Sequence, residues 1–203
     1  MKKLCMYFFV AVAILLVGCE RSNDQGENFD YSSGTLLVNE GSFGNSNGSI
    51  SWYSNGTVKN GIFEDVNGSV LGDVIMDADR VNALTYVVSN NSQKVVVLKS
   101  ASFEYVNAIS GFEYPRHFLK ISDSEAAVSD GSGAGSVKWI DLNSSTISST
   151  TAVGNGPEEM LLSAGKLFVC NSGGWGIDNT ISVIDVATKQ VINTVVVENR
   201  PVE

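Results

Sequence analysis

Leu167-Phe168-Val169-Cys170-Asn171-Ser172, followed after a short Gly-rich loop by Thr180-Ile181-Ser182-Val183-Ile184-Asp185, is the stretch that decides the fold. It reads as a β-branched strand, a turn-rich loop and a second strand with apolar residues two apart. Three earlier stretches fit the same template: Leu36-Leu37-Val38-Asn39-Glu40-Gly41, Tyr86-Val87-Val88-Ser89-Asn90-Asn91 and Ala126-Ala127-Val128-Ser129-Asp130-Gly131. Aligned on the first strand, Val38, Val88, Val128 and Val169 fall 50, 40 and 41 residues apart. A period near forty with several strands per repeat predicts an all-β chain, a β-propeller with about four blades. One blade cannot bury both its faces, so the repetition itself calls for blades stacked around a channel.

The second strands alternate as half-buried strands do: Ile50-Ser51-Trp52, Val137-Lys138-Trp139 and Ile181-Ser182-Val183. Trp52 and Trp139 occupy equivalent places and are expected to pack between neighbouring blades. Asp141 and Asp185 close such strands and are expected to accept hydrogen bonds from the turn that follows. Outer strands are predicted over Val58–Phe63, Glu104–Ile109, Thr146–Val153 and Gln190–Val197. Innermost strands are predicted over Asp73–Asp77, Arg116–Ser122 and Glu158–Ser163. No innermost strand precedes Gly34, so the first repeat opens on what is the second strand of the others.

The N-terminus carries an export signal. Lys2 and Lys3 precede the apolar run Leu4–Val17, too short to span a membrane comfortably but suited to the core of a signal peptide. Leu16-Val17-Gly18-Cys19 then resembles a bacterial lipobox, in which the cysteine is acylated and becomes the first mature residue. Residues 1–18 are therefore expected to be cleaved, Cys19 to be the lipidation site, and the polar residues 19–33 to form a tether ahead of the domain at 34–203. The chain contains 13 Lys and Arg, and loss of Lys2 and Lys3 leaves 11 against 22 acidic residues. That acidic surplus argues against nucleic acid or anionic lipid as a partner, leaving the lipid anchor as the membrane attachment. Cys5 leaves with the signal and Cys19 takes lipid, so Cys170 has no mate and reads as a small buried hydrophobe.

A family resemblance rests on specific residues. Leu167-Phe168-Val169-Cys170-Asn171, Thr180–Thr188 and the join Val153-Gly154-Asn155-Gly156-Pro157-Glu158 resemble the YVTN-type propeller repeat. The asparagine-rich opening Val38-Asn39-Glu40-Gly41-Ser42-Phe43-Gly44 looks like that of Bacteroidetes surface lipoprotein propellers. Glu20, Asp24 and Glu27 loosely resemble the acidic signal that sends such lipoproteins to the cell surface. The resemblance implies an outer-membrane, surface-exposed protein. It implies a ligand, with cobalamin the sharpest candidate, handed to a TonB-dependent transporter. It also implies a seven-bladed ring. Pro201 matches Pro115 and Pro157, so the chain stops as another innermost strand begins; we expect an incomplete ring lacking its C-terminal blades, and a closed four-bladed ring is the competing reading.

In a propeller, the outer-to-inner joins and the loops after the second strands meet at one end of the ring. This topology gathers Phe43, Asn45, Asn91, Asp130, Asn171 and Trp175 from the loops with Arg116, His117 and Glu158 from the joins, and these are the candidate ligand-binding residues. For most of the Asn and Asp residues, turn formation is a sufficient account; Phe43, Trp175, Arg116 and His117 are less easily explained that way.

No catalytic pattern emerges. His117 is the only histidine, and no cysteines stand at metal-ligand spacing. Asp130-Gly131-Ser132-Gly133-Ala134-Gly135 joins two strands, whereas a phosphate loop opens a helix. The sequence therefore predicts a binding protein without cofactor or metal; the alternative is an envelope propeller that binds other proteins and no small molecule.

Overall fold

The computed structural model describes residues 31–203, so the expected signal peptide, Cys19 and the acidic residues after it lie outside the described residues. Four antiparallel sheets follow one another along the chain. The first has three strands, β1 (Thr35–Asn39), β2 (Ser49–Ser54) and β3 (Thr57–Lys59). After helix α1 (Ile62–Asn67), the second sheet comprises β4 (Ile75–Val81), β5 (Leu84–Ser89), β6 (Lys94–Lys99) and β7 (Tyr105–Ser110). The third comprises β8 (Pro115–Lys120), β9 (Glu125–Asp130), β10 (Ser136–Asp141) and β11 (Thr146–Ala152). The fourth comprises β12 (Pro157–Ser163), β13 (Lys166–Asn171), β14 (Thr180–Asp185) and β15 (Gln190–Val196). Each is an up-and-down meander in sequence order, and β4, β8 and β12 lie side by side as the innermost strands. These are consecutive blades of a β-propeller.

Three apolar seams join the blades. Trp52, Ile50, Val87, Val96, Leu98 and Phe103 fill the first, between sheets one and two. Val88, Val95, Phe118 and Val128 belong to the second. Trp139, Ala127, Met160, Leu167 and Val169 form the third. Both expected tryptophans thus lie between blades. The Trp139 indole N–H donates to Thr151 Oγ1 at 2.9 Å, and that hydroxyl donates to the Lys189 carbonyl at 2.7 Å, so a polar thread runs along the third seam.

Strand register corrects the repeat alignment. Trp52 stands opposite Leu36, and Trp139 opposite Ala127, while Val87 and Val128 each lie two residues before the strand end. The equivalent residues are therefore Leu37, Val87, Val128 and Val169, at intervals of 50, 41 and 41, and not Val38 and Val88. A one-residue slip moves a side chain to the opposite face of a sheet; Val87 and Val88 indeed belong to different seams. Two adjacent valines in a strand buried on both faces left the sequence pattern without a phase marker.

Boundaries also differ from expectation: β4 starts at Ile75 and runs on to Val81, past the expected end at Asp77. The first outer strand ends at Lys59, and Ile62 and Phe63 belong to α1. Gly61 at φ 62° and Gly68 at φ 65° bracket this single helical segment with left-handed residues that disfavour any side chain. Helix formation buries Ile62 and Phe63 together against the first seam, which an alternating strand would not do. The folded part also begins before Gly34: Tyr31, expected in the tether, is buried edge-on against Trp52 and Phe103 with ring centroids 5.8 and 4.8 Å away.

Candidate functional site

The three innermost strands share one irregularity. Pairing is interrupted between Ile75 and Asp77, between Pro115 and Phe118, and between Pro157 and Met160. A β-bulge leaves its extra residues unpaired and re-aims their side chains. Here the residues released are Met76, Arg116-His117 and Glu158-Glu159, and they converge.

Arg116 Nε donates to Glu158 Oε2 at 2.8 Å, and its Nη1 lies 3.8 Å from Met76 Sδ. Behind this pair, His117 Nδ1 lies 3.0 Å from Glu159 Oε1 and 3.9 Å from Asp77 Oδ2, while its Nε2 lies 3.6 Å from Glu158 Oε2. Asp77 Oδ2 also accepts the Phe118 N–H at 2.8 Å, tying β4 to β8. Burial opposes the charged imidazolium, but Glu158, Glu159 and Asp77 outweigh it and raise the His117 pKa. Burial opposes the Glu158 carboxylate too, yet His117 and Arg116 hold its pKa below the ordinary value. Asp77 goes the other way, because burial outweighs its Phe118 hydrogen bond and the attraction of His117. Residues from three blades are thus held by one ionic cluster.

Above the cluster opens a cavity of about 310 Å³. Arg116 and Glu158 reach its wall, joined by Phe43, Tyr114, Trp175 and Glu40. The two loops that carry Phe43 and Trp175 are fixed by their backbones. Ser42 N–H donates to Asn47 Oδ1 at 2.7 Å and Gly44 N–H to Asp73 Oδ2 at 2.8 Å, which secures the residues on either side of Phe43. Trp175 N–H reaches the Ser132 carbonyl at 3.4 Å, and Arg200 Nη2 donates to the Gly176 carbonyl at 2.8 Å. Gly174 sits at φ 57°, and any side chain there would run into the Ser132 carbonyl. On these braced loops the rings themselves are open, Phe43 71% and Trp175 84% exposed.

Of the nine candidate residues, Phe43, Arg116, Glu158 and Trp175 line the cavity. His117 stands behind the wall as a partner of Glu158 and Glu159. Asn91 Nδ2 donates to Asp73 Oδ2 at 2.6 Å. Asp130, buried, accepts the N–H groups of Glu113 and Tyr114 at 2.9 and 2.8 Å. Asn171, also buried, donates to Thr180 Oγ1 and Ser182 Oγ at 3.0 Å each. These three side chains secure turns and strand ends. Asn45 lies in the exposed turn closed by its N–H to the Ser42 carbonyl at 3.0 Å, and it is not on the cavity wall. Sequence reading passed over Met76 and Asp77, whose role depends on a bulge; their signal is position, one and two residues after the start of an innermost strand. Among the described residues no group of three or more His, Cys, Asp and Glu side chains is placed to hold a metal ion. Nor is any helix among them long and apolar enough to cross a membrane.

Comparison with known proteins agrees with the architecture. The WD40 β-propeller domain of Doa1 superposes with a TM-score of 0.57 at 13% identity, over 73% of this chain and 47% of that one. BamB from Moraxella catarrhalis gives 0.57 at 18% identity, over 81% and 45%. Hydrazine synthase from Kuenenia stuttgartiensis gives 0.64 at 16% identity, over 74% and 43%. The chain therefore spans less than half the length of each of these structures, and the likeness is one of fold. No curated protein matches it in sequence. A family model does match over residues 33–202, almost the whole described chain, and on that match the protein belongs to the family described as domain of unknown function DUF5074.

Proposed function

We propose that this chain is a non-catalytic binding propeller, anchored in the outer membrane through acylated Cys19 and displayed at the cell surface, that captures a small nutrient. The observation that carries this reading is the cavity, which two open aromatic rings on braced loops line together with an Arg116–Glu158 pair. Open aromatic rings lose contact area unless something covers them, and a concave site with few, fixed polar groups suits a small ligand. Cobalamin delivered to a TonB-dependent transporter is the specific version that the family resemblance supplies.

Titration calorimetry of the full chain against cobalamin and a nutrient panel tests it. The expected outcome is saturable 1:1 binding that Trp175→Ala weakens at least tenfold. Labelling with a radioactive fatty acid, abolished by Cys19→Ala, tests the anchor, and protease shaving of intact cells tests surface display.

A second reading, a propeller that binds another envelope protein, draws support from the fourth sheet. Leu161 is 65% exposed there and Val195, on the same face, 39%, an apolar surface of the kind that marks protein contacts. Silence across the nutrient panel together with recovery of one cross-linked envelope protein would favour it.

A further inference from the structure

We infer that the group received by the cavity is a neutral sugar ring, seated with its C–H face on Trp175 and its hydroxyls on the Arg116–Glu158 pair. This rests on the reading of the mouth as a ligand site and narrows it to a chemical class.

Three observations converge. The first is charge. Glu158 neutralises Arg116 across 2.8 Å, and the remaining formal charge on the wall is that of Glu40. The chain as a whole carries −9. An anionic ligand such as a phosphate ester or a uronate meets a repulsive field at this mouth, while a cation would have to approach the Arg116 guanidinium.

The second is the hydrogen-bonding pattern. Arg116 commits Nε to Glu158, and Nη1 meets only the weak thioether acceptor of Met76. Glu158 Oε2 accepts Arg116 and has His117 Nε2 at 3.6 Å, while Oε1 meets the Ser172 hydroxyl at 3.2 Å, a proton shared with the Gly156 carbonyl, and keeps a second lone pair. The pair therefore offers a donor edge beside an acceptor edge. Neighbouring hydroxyls of a sugar, each both donor and acceptor, match that edge; a purely apolar ring would leave it unsatisfied.

The third is shape. Phe43 offers only its ring and Trp175 a broad indole with a single N–H donor, and the negative face of an aromatic ring attracts polarised C–H groups. A cavity of about 310 Å³ holds the equivalent of about ten waters, room for one sugar ring with its hydroxyls.

Tryptophan fluorescence gives a direct readout, since Trp52 and Trp139 are buried and Trp175 is open. The full chain is titrated with neutral oligosaccharides, with uronate-containing oligosaccharides and with cobalamin, while acrylamide quenching is followed. The expected result is that a neutral oligosaccharide protects one tryptophan from quenching and that uronates do so at least tenfold more weakly. By calorimetry, Trp175→Ala should lose at least tenfold in affinity, and Trp175→Phe should recover part of it. Protection by cobalamin without protection by any neutral sugar overturns the sugar assignment and leaves the binding reading standing. Tighter binding of uronates, or neutral-sugar binding unchanged by Trp175→Ala, overturns it as well. Absence of binding by all three classes counts against both.

Discussion

The third and fourth blades are built from the same repeat, yet their equivalent side chains lead different lives. Leu119, Ala127 and Trp139 point from the third sheet into the seam shared with the fourth, where Ala127 and Trp139 are fully buried. Their counterparts Leu161, Phe168 and Val183 share one face of the fourth sheet. Leu161 is 65% exposed, and a second cavity of about 500 Å³ lies along this face beside Leu161, Phe168, Cys170 and Ile181. The first sheet shows the same contrast on its opposite side: Leu37 is 39% exposed, while Val87, Val128 and Val169 are fully buried. In this fold burial belongs to the seam between blades, and a blade's own sequence does not guarantee it.

The sharpest way to break the comparison is to substitute one aromatic residue on each of the two matched faces. Trp139→Ala removes a buried ring and the N–H donor to Thr151, and should cost about 3–5 kcal/mol in urea denaturation. Phe168→Ala, half-buried on the open face of the fourth sheet and paired with Val183, the counterpart of Trp139, should cost about 1 kcal/mol or less. Equal losses at the two positions would mean that the fourth face is covered in solution.

The ionic cluster should give the next largest effect, because it is the polar counterpart of a seam. The groups facing His117 are Asp77, Glu158 and Glu159, with Arg116 beside them. The folded pKa of His117 is raised, so its contribution is fully present below the ordinary histidine value of about 6.5 and is lost as pH rises through the folded pKa. Glu158 has the opposite sense: its contribution is present at neutral pH and is lost as pH falls through its depressed folded pKa. His117→Gln should therefore cost about 2 kcal/mol near pH 6 and little at pH 9. A pH–stability slope above pH 6.5 that is unchanged in the variant would remove His117 from this role.

Asp130 gives a smaller effect. Its Oδ1 accepts two backbone N–H groups ahead of β8, and Asp130→Asn would set an amide NH2 where Oδ2 now meets the Glu113 N–H at 3.1 Å, donor against donor, at a cost of about 1–2 kcal/mol by thermal melting. Ligand affinity should hold within about twofold if the side chain only secures the turn. Smallest in stability is Leu161→Ser on the open face, within about 0.5 kcal/mol of the parent. Its effect should appear in sedimentation velocity, as weaker self-association of a protein whose apolar sheet face has become polar.

Much of the architecture was legible in the chain. The recurrence of short β-branched strands at intervals near forty pointed to blades, and Ile50-Ser51-Trp52 and Val137-Lys138-Trp139 placed both tryptophans in seams. The site was legible more coarsely. Loop topology led to Phe43, Arg116, Glu158 and Trp175 from four separate segments, and all four meet on one wall. The same reasoning swept in Asn91, Asp130 and Asn171, because residues that fix a turn and residues that line a pocket have one composition. Only hydrogen-bond partners separate them.

What the sequence determined by itself was the period and the alternation, since these follow from strand length and from which side chains are apolar. What tertiary structure alone decided was phase and direction. Tyr86-Val87-Val88 has no polar residue to mark a face, so the adjoining blades settle which valine meets which seam. Pairing of β4, β8 and β12 with their neighbours forces a bulge in each, and the bulges bring Met76, Arg116, His117, Glu158 and Glu159 together. That convergence depends on hydrogen bonds between strands and on the packing of one blade against the next, neither of which a linear pattern can carry.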